Sequence, residues 1–117
     1  IGIDVGGRLV AAMSDHLSDT LESVFIIDSD IRHIKRKHST SEEERGQVAI
    51  EPLDFGRMPA VLNEFGTCEY TETDKLGNKK LLLTKSMGDT MCLVTVQRGK
   101  RKLEIKTMRK KRLGASC

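Results

Sequence analysis

The spacing of the hydrophobic residues changes near Gly66, and this change constrains the fold more than any other feature of the sequence. After Gly66, four short runs rich in apolar and β-branched residues are separated by turns. Before it, apolar side chains in residues 8–25 recur at intervals of three and four, as on one face of an α-helix. Helices followed by strands are typical of an α+β domain. The residues of the helical stripe are Leu9, Met13, Leu17, Leu21 and Val24.

The second half of the chain predicts an antiparallel meander of four strands. Three short turns lie between the strand-like runs, and each turn contains a glycine. The runs cover residues 68–73, 79–87, 91–97 and 103–108.

The first half predicts further helical segments. One covers residues 31–37, with Asp28-Ser29-Asp30 as N-cap candidates. Another begins at Pro52, because proline fits the first turn of a helix, and restarts at Pro59. We therefore expect one domain over residues 1–117. Its helices, in about residues 8–65, would pack on a twisted antiparallel β-sheet in about residues 67–109, followed by a basic tail at residues 110–117.

The composition suits a small globular domain and excludes a membrane-spanning helix. No apolar run approaches the roughly 20 residues that such a helix needs. The three cysteines, Cys68, Cys92 and Cys117, match no zinc-binding spacing, so we expect reduced thiols. The chain starts at Ile1 with neither an initiator methionine nor a signal peptide, and we expect it to be part of a longer protein.

The charges are distributed unevenly, although the formal net charge is only +3. Residues 1–30 contain six acidic residues and one basic residue, whereas residues 98–112 contain nine basic residues and one acidic residue. A second basic cluster covers residues 32–38. Two basic segments indicate a polyanionic partner, most often nucleic acid; the alternative is a solvated charged face with a basic tail. Because the chain has only three Phe and one Tyr, RNA, if it is the partner, is expected to be held by its phosphates rather than by base stacking.

The first candidate for acid–base chemistry is the histidine pair of the early basic cluster. His33 and Lys37 are four residues apart and share a helix face. His38 lies roughly 140° around the axis from His33 unless the helix ends first. Histidine exchanges protons near neutral pH, and neighbouring cations bind phosphate. The alternative is a basic surface helix whose histidines have no catalytic role.

Two strand residues complete the set of candidates. Period-two alternation places Thr107 on the same face as Leu103 and Ile105, where its hydroxyl would close a cleft between sheet and helices and bond a phosphate. Lys85 follows an apolar strand face and is a candidate phosphate clamp. The alternatives are an ordinary strand threonine and a lysine that extends into water.

Three blocks of the sequence, taken together, resemble one superfamily of nucleases. They are Arg32-His33-Ile34-xx-Lys37-His38, then Arg45-Gly46-Gln47 with Ile50-xxx-Asp54-Phe55-xx-Met58-Pro59-xx-Leu62, and finally Leu103-x-Ile105-x-Thr107-Met108-Arg109-Lys110-Lys111. Over about residues 25–112 the chain is similar to the phage-associated branch of the barnase–EndoU–colicin–RelE superfamily.

The resemblance implies helices packed on a twisted antiparallel sheet and metal-independent cleavage of RNA, often transfer RNA. It also implies a C-terminal toxin domain that is delivered by a larger secreted or cell-surface protein, acts in the cytoplasm of the target cell and is neutralised by an acidic immunity protein. No cofactor or metal is expected. The expected catalytic residues are His33, Lys37, His38, Lys85 and Thr107, and the expected RNA-binding residues are Arg32, Arg36, Lys106 and Arg109. The alternative function is a non-catalytic basic nucleic-acid-binding module of a phage or toxin protein.

Overall fold

The computed structural model describes residues 2–3, 6–17, 21–38, 48–99 and 101–112. Helices and strands together form an α+β fold, as predicted. The helices are α1 (Gly7–Leu17), α2 (Asp28–Lys37), α3 (Pro52–Phe55) and α4 (Met58–Glu64). The strands are β1 (Gly2–Ile3), β2 (Ser23–Phe25), β3 (Thr67–Thr73), β4 (Lys79–Met87), β5 (Asp89–Arg98) and β6 (Lys102–Lys111).

The described strands form one sheet in the order β1-β2-β6-β5-β4-β3. The predicted meander, β3 to β6, is antiparallel throughout and contains glycines in the left-handed region at its turns, such as Gly88 at φ 82° and Gly99 at φ 66°. The prediction of a purely antiparallel sheet is wrong at one pair, because β2 runs parallel to β6. The sheet is therefore mixed, although mostly antiparallel.

The N-terminal region departs from the predicted helical stripe. The described helix ends at Leu17, and residues 23–25 are a strand instead of the last turn of that helix. Val24 is fully buried there and pairs with Leu103. A residue can fit the helical spacing and yet be buried as part of a strand, so the spacing alone did not show that residues 23–25 are not helical. Helix α2 begins at Asp28, three residues earlier than predicted, and Ile27 is its N-cap.

The core lies on one face of the sheet, which we call the core face. Helices α1 and α4 contribute apolar side chains to one buried cluster with this face. Each buried residue of β4 pairs with a residue of β5, which in turn pairs with a buried residue of β6. For example, Leu83 pairs with Leu93, and Leu93 pairs with Met108. The opposite face, which we call the cleft face, carries Lys80, Val94 and Val96 on β4 and β5.

A β-bulge in β6 exchanges the two faces for the second half of the strand. Thr95 pairs with Ile105 and the adjacent Val94 pairs with Thr107, so Lys106 is an extra residue in β6. The bulge interrupts the alternation. The prediction that Thr107 shares a face with Leu103 and Ile105 is therefore wrong: Thr107 lies on the cleft face, and Met108 takes the core position.

The end of β6 is part of the folded sheet. The predicted basic tail begins at residue 110, but β6 continues to Lys111, and Lys110 is only 5% exposed. Its ammonium lies 2.7 Å from Asp54 Oδ2 on α3. Asp54 also accepts a hydrogen bond from the backbone N–H of Glu51, the N-cap residue of α3, as an acid in the first turn of a helix can.

Two further findings concern the cysteines and the helices. Cys92 is disulfide-bonded, so the prediction of three reduced thiols is wrong at this position. Cys68 is a free thiol, and its burial raises its pKa to about 11. Within the described ranges, no helix has the length and apolar character needed to cross a bilayer.

Candidate functional site

An open cleft of about 530 Å³ lies where α2 meets the cleft face of β5 and β6. It receives one wall from α2 and its floor from the sheet. Because β2 pairs only with the first residues of β6, α2 packs against β6 beyond that point. The cleft is lined by Ser29, Asp30, His33, Asp74, Lys80, Val94, Val96, Arg98, Lys106 and Thr107.

Two histidines meet at the C-terminal end of α2. The helix ends at Lys37, and His38 has left helical geometry with φ −122° and ψ 17°. The imidazole of His38 therefore approaches that of His33, with 5.6 Å between the ring centroids and 71° between the ring planes. Two proton-exchanging groups thus lie side by side, and His33 lines the cleft.

The second half of β6 presents unused hydrogen-bonding groups. Thr107 Oγ1 and Arg109 Nε are buried and have no hydrogen-bond partner among the described residues. Both residues belong to the cleft face, since Thr107 pairs with Val94 and Arg109 pairs with Cys92. A buried polar atom without a protein partner is costly unless a ligand or water completes it. These groups are suited to contact a bound polar ligand.

Four charged residues form a network across the cleft, which we call the ion-pair cluster: Asp30, Arg98, Glu104 and Lys106. Lys106 Nζ lies 3.0 Å from Asp30 Oδ1 and 3.3 Å from Glu104 Oε2. Arg98 Nε donates to Glu104 Oε1 at 2.8 Å. The Asp30–Lys106 contact joins α2, which carries the histidines, to β6, which carries Thr107.

The ion-pair cluster perturbs the pKa values of its members. Burial, together with the adjoining Glu104, raises the pKa of Asp30 above its ordinary value in spite of Lys106. Burial also acts to raise the pKa of Glu104, but hydrogen bonds with Asp30, Arg98 and Lys106 outweigh it and lower that pKa to about 2. Burial opposes the charge of Lys106, yet the two carboxyl groups raise its pKa above the ordinary value. Such opposed shifts are typical of functional sites and of structural ion pairs alike.

Comparison with known proteins identifies the family. A family model described as "phage-Barnase-EndoU-ColicinE5/D-RelE like nuclease" matches residues 4–115. The chain belongs to this nuclease family. Neither a curated protein nor a solved structure matches the chain. The matched range contains every residue that lines the cleft.

The nuclease fold brings some of the predicted site residues together. His33, Lys106 and Thr107 line the cleft, and His38 contacts His33. The remaining predicted residues of α2 lie on its exposed surface, and Arg109 is half-buried on β6. These exposed residues are Arg32, Arg36 and Lys37. The block Arg45-Gly46-Gln47 falls outside the described residues.

Lys85 is not brought to the cleft of the nuclease. It lies on the core face of β4, as its spacing from Leu81 and Leu83 predicted, but the cleft is on the opposite face. Its ammonium donates to Glu64 O at 3.1 Å, at the C-terminal end of α4. A cation at this position satisfies a terminal carbonyl and interacts favourably with the helix dipole.

Sequence reasoning missed Asp30, Glu104 and Arg98. Asp30 was interpreted as an N-cap candidate, but it occupies the first turn and faces β6. A local signal was available, because Asp30 is four residues before the buried Ile34 and so lies on the buried side of α2. For Glu104 the sequence offers no comparable signal, since its partner on α2 is distant in sequence. Within the described residues, no group of three or more His, Cys, Asp and Glu side chains is arranged to bind a metal ion.

Proposed function

We propose that this nuclease is an endoribonuclease that cleaves RNA without a metal ion, by attack of the ribose 2′-hydroxyl on the adjacent phosphodiester. The observation that carries the proposal is the contact between His33 and His38, 5.6 Å apart by ring centroids, with His33 in the same cleft as Thr107. The reaction needs two proton-transfer groups at one phosphate, and this pair supplies them.

One imidazole accepts the proton of the 2′-hydroxyl while the other protonates the departing 5′-oxygen. The P–O2′ bond forms and the P–O5′ bond breaks, leaving a 2′,3′-cyclic phosphate and a 5′-hydroxyl. His33, which lines the cleft, is the leading general acid or base, and His38 is its partner. Side-by-side histidines suit this exchange because imidazole takes and returns protons at neutral pH.

Cations and one hydroxyl stabilise the charge that develops on the phosphate. The hydroxyl of Thr107, which has no hydrogen-bond partner among the described residues, donates to a phosphate oxygen. Lys106 supplies positive charge inside the cleft, and Arg109 supplies it at the end of β6. The exposed cations of α2, Arg32, Arg36 and Lys37, bind flanking phosphates. Lys85 has no part in this scheme because it lies on the core face.

We also propose that the domain acts as a toxin on RNA, with transfer RNA as the first substrate to test, in the cytoplasm of a target cell after delivery by a larger protein. An acidic immunity protein would then cover the basic surfaces of α2 and the end of β6. Opposite charges accelerate protein association, and salt screens them. We expect the association rate to fall between low and physiological salt. A salt-independent rate would place the docking surface elsewhere.

The experiment is incubation of total RNA with the nuclease in excess EDTA, followed by analysis of the fragment ends. We expect full activity, cyclic phosphate ends and no cleavage of DNA, because DNA lacks the nucleophile. His33→Ala should lower the rate about 10²–10⁴-fold. Thr107→Val should lower it about three- to tenfold, since a neutral hydrogen bond contributes less than a proton transfer. Thr71→Val, at an exposed threonine of β3, is the matched control and should leave the rate unchanged.

Loss of activity in EDTA with rescue by Mg²⁺, or efficient cleavage of DNA, would refute the proposed mechanism. Salt-sensitive binding of RNA without any cleavage would favour the second candidate, a non-catalytic nucleic-acid-binding module. The uneven charge of the chain, with nine basic residues in residues 98–112, accounts for that candidate as well.

A further inference from the structure

Asp30 has a buried oxygen atom that the ion pairs leave unexplained. Asp30 is 3% exposed and Glu104 is 4% exposed. Asp30 Oδ1 accepts from Lys106, whereas Asp30 Oδ2 is buried and accepts no hydrogen bond from any described donor. An ionised oxygen that is buried without a donor is strongly unfavourable. The same oxygen in its protonated form is a donor, and it then needs an acceptor.

The carboxylate of Glu104 is the acceptor available to a protonated Asp30 Oδ2. Glu104 contacts the same ammonium as Asp30, and the side chains of Asp30 and Glu104 are within hydrogen-bonding reach of each other. Glu104 already receives bonds from Arg98 and Lys106, one at each oxygen, and these favour its ionised form. A single proton held by the two carboxyl groups would therefore reside with Asp30, whose one ion-pair partner among the described residues is Lys106.

The charge balance of the cleft supports the same assignment. With both carboxyl groups ionised, the ion-pair cluster would be neutral; with one proton retained, it carries one net positive charge. A positive cluster is the state that attracts a phosphate. Among the described residues, the other titratable or charged groups that line the cleft with Asp30 are His33 on its own helix, Lys80 on β4 and Asp74 in the turn before β4.

We propose that Asp30 and Glu104 share one proton, and that this acid–carboxylate pair fixes Lys106 between α2 and β6. Asp30 is a positioning residue: through Lys106 it sets the placement of His33 relative to Thr107. The kinetic part of the proposal rests on the proposed ribonuclease function, whereas the protonation state does not.

The kinetic test compares Asp30→Asn with Asp30→Ala and Glu104→Gln. Asparagine reproduces the protonated acid, because its oxygen accepts from Lys106 and its amide donates to Glu104. We expect Asp30→Asn to retain kcat within about threefold. Asp30→Ala and Glu104→Gln should lower kcat roughly 10- to 100-fold, with a smaller change in KM, because a small misplacement of reacting groups is costly. Asp28→Asn, on the exposed side of the same helix, is the matched control.

A wild-type measurement decides the protonation state without activity. Carboxyl-carbon NMR titration should show Asp30 protonating above its ordinary range and Glu104 protonating below its own. Two ordinary titrations would overturn the proposal, as would an Asp30→Asn variant that folds but is as impaired as Asp30→Ala. If the protein cleaves no RNA at all, the proposed function fails while the NMR titration still decides the shared proton.

Discussion

The buried ion pair between Asp54 and Lys110 joins α3 to the end of β6, and its removal tests how the strand that carries Thr107 is held. Asp54 Oδ2 accepts from Lys110 Nζ at 2.7 Å and from the backbone N–H of Glu51 at 2.8 Å. Arg57 donates to the other oxygen at 2.9 Å. Asp54→Asn keeps an acceptor for the Glu51 N–H and removes the charge that compensates the Lys110 ammonium.

The expected cost follows from burial. Both side chains are more than nine-tenths buried, and removal of one partner of such a pair costs about 3–5 kcal/mol because the other charge stays buried. The loss of the half-exposed Arg57 contact adds at most about 1 kcal/mol. Lys110→Met should cost only about 1–2 kcal/mol, since the Asp54 carboxylate keeps its backbone and Arg57 partners. The double variant should resemble Lys110→Met rather than the sum.

Urea denaturation followed by circular dichroism measures these free energies of unfolding. At about 4 °C per kcal/mol, Asp54→Asn should also lower the Tm by roughly 12–20 °C. Burial acts to raise the pKa of Asp54, but the Glu51 N–H, Lys110 and Arg57 lower it below 3.8. The contribution of the ionised Asp54 to the free energy of unfolding is therefore complete above pH 3.8 and is lost as the pH falls through the folded-state pKa. This loss of stability at acid pH should be absent when the free energy of unfolding of Asp54→Asn is measured against pH. A cost below about 1 kcal/mol, or additive costs in the double variant, would refute the reasoning.

Three further outcomes are expected. Lys85→Met should leave the rate of RNA cleavage within twofold of wild type, because Lys85 is on the core face. It should lower the free energy of unfolding by at most about 1 kcal/mol. A large loss of kcat would show that Lys85 takes part in catalysis. Lys106→Ala should reduce the slope of log Kd for RNA against log salt by about 1, and an unchanged slope would remove Lys106 from phosphate contact. Cys68 should be alkylated at pH 8 about 10- to 100-fold more slowly than free cysteine, since its pKa is about 11, as mass spectrometry of its peptide will show; a rate equal to that of free cysteine would contradict the burial.

The parts of the fold that were predictable are those set by local spacing. The meander followed from turn glycines and strand-length runs. The contact between His33 and His38 was not predicted, because helical spacing places His38 roughly 140° around the axis from His33; the rings meet because the helix ends at Lys37. The prediction of the sheet face that carries Thr107 was wrong, because a β-bulge depends on the register with the neighbouring strand. The sequence of β6 alone does not specify that register. Strand β2 was missed because three residues are too short for a period to emerge.

The polar part of the candidate site was less predictable for a different reason. Asp30 meets Lys106 across 76 positions of sequence, and the pairing depends on how α2 packs beside β6. Neither residue carries a local signal for the other. Charge counts indicated where cations concentrate, yet the acids that hold Lys106 became visible only from the packing.

The register of β6 has a consequence for how sequences of this kind can vary. Since Thr95 pairs with Ile105 and Val94 with Thr107, deletion of Lys106 would make these two pairs consecutive and leave a regular ladder. Every residue before and after the deletion would keep its partner. The sheet can thus dispense with Lys106, whereas the cleft would lose the cation that pairs with Asp30 and Glu104. A single-codon insertion or deletion at this point changes the chemistry of the cleft while the core keeps the same members.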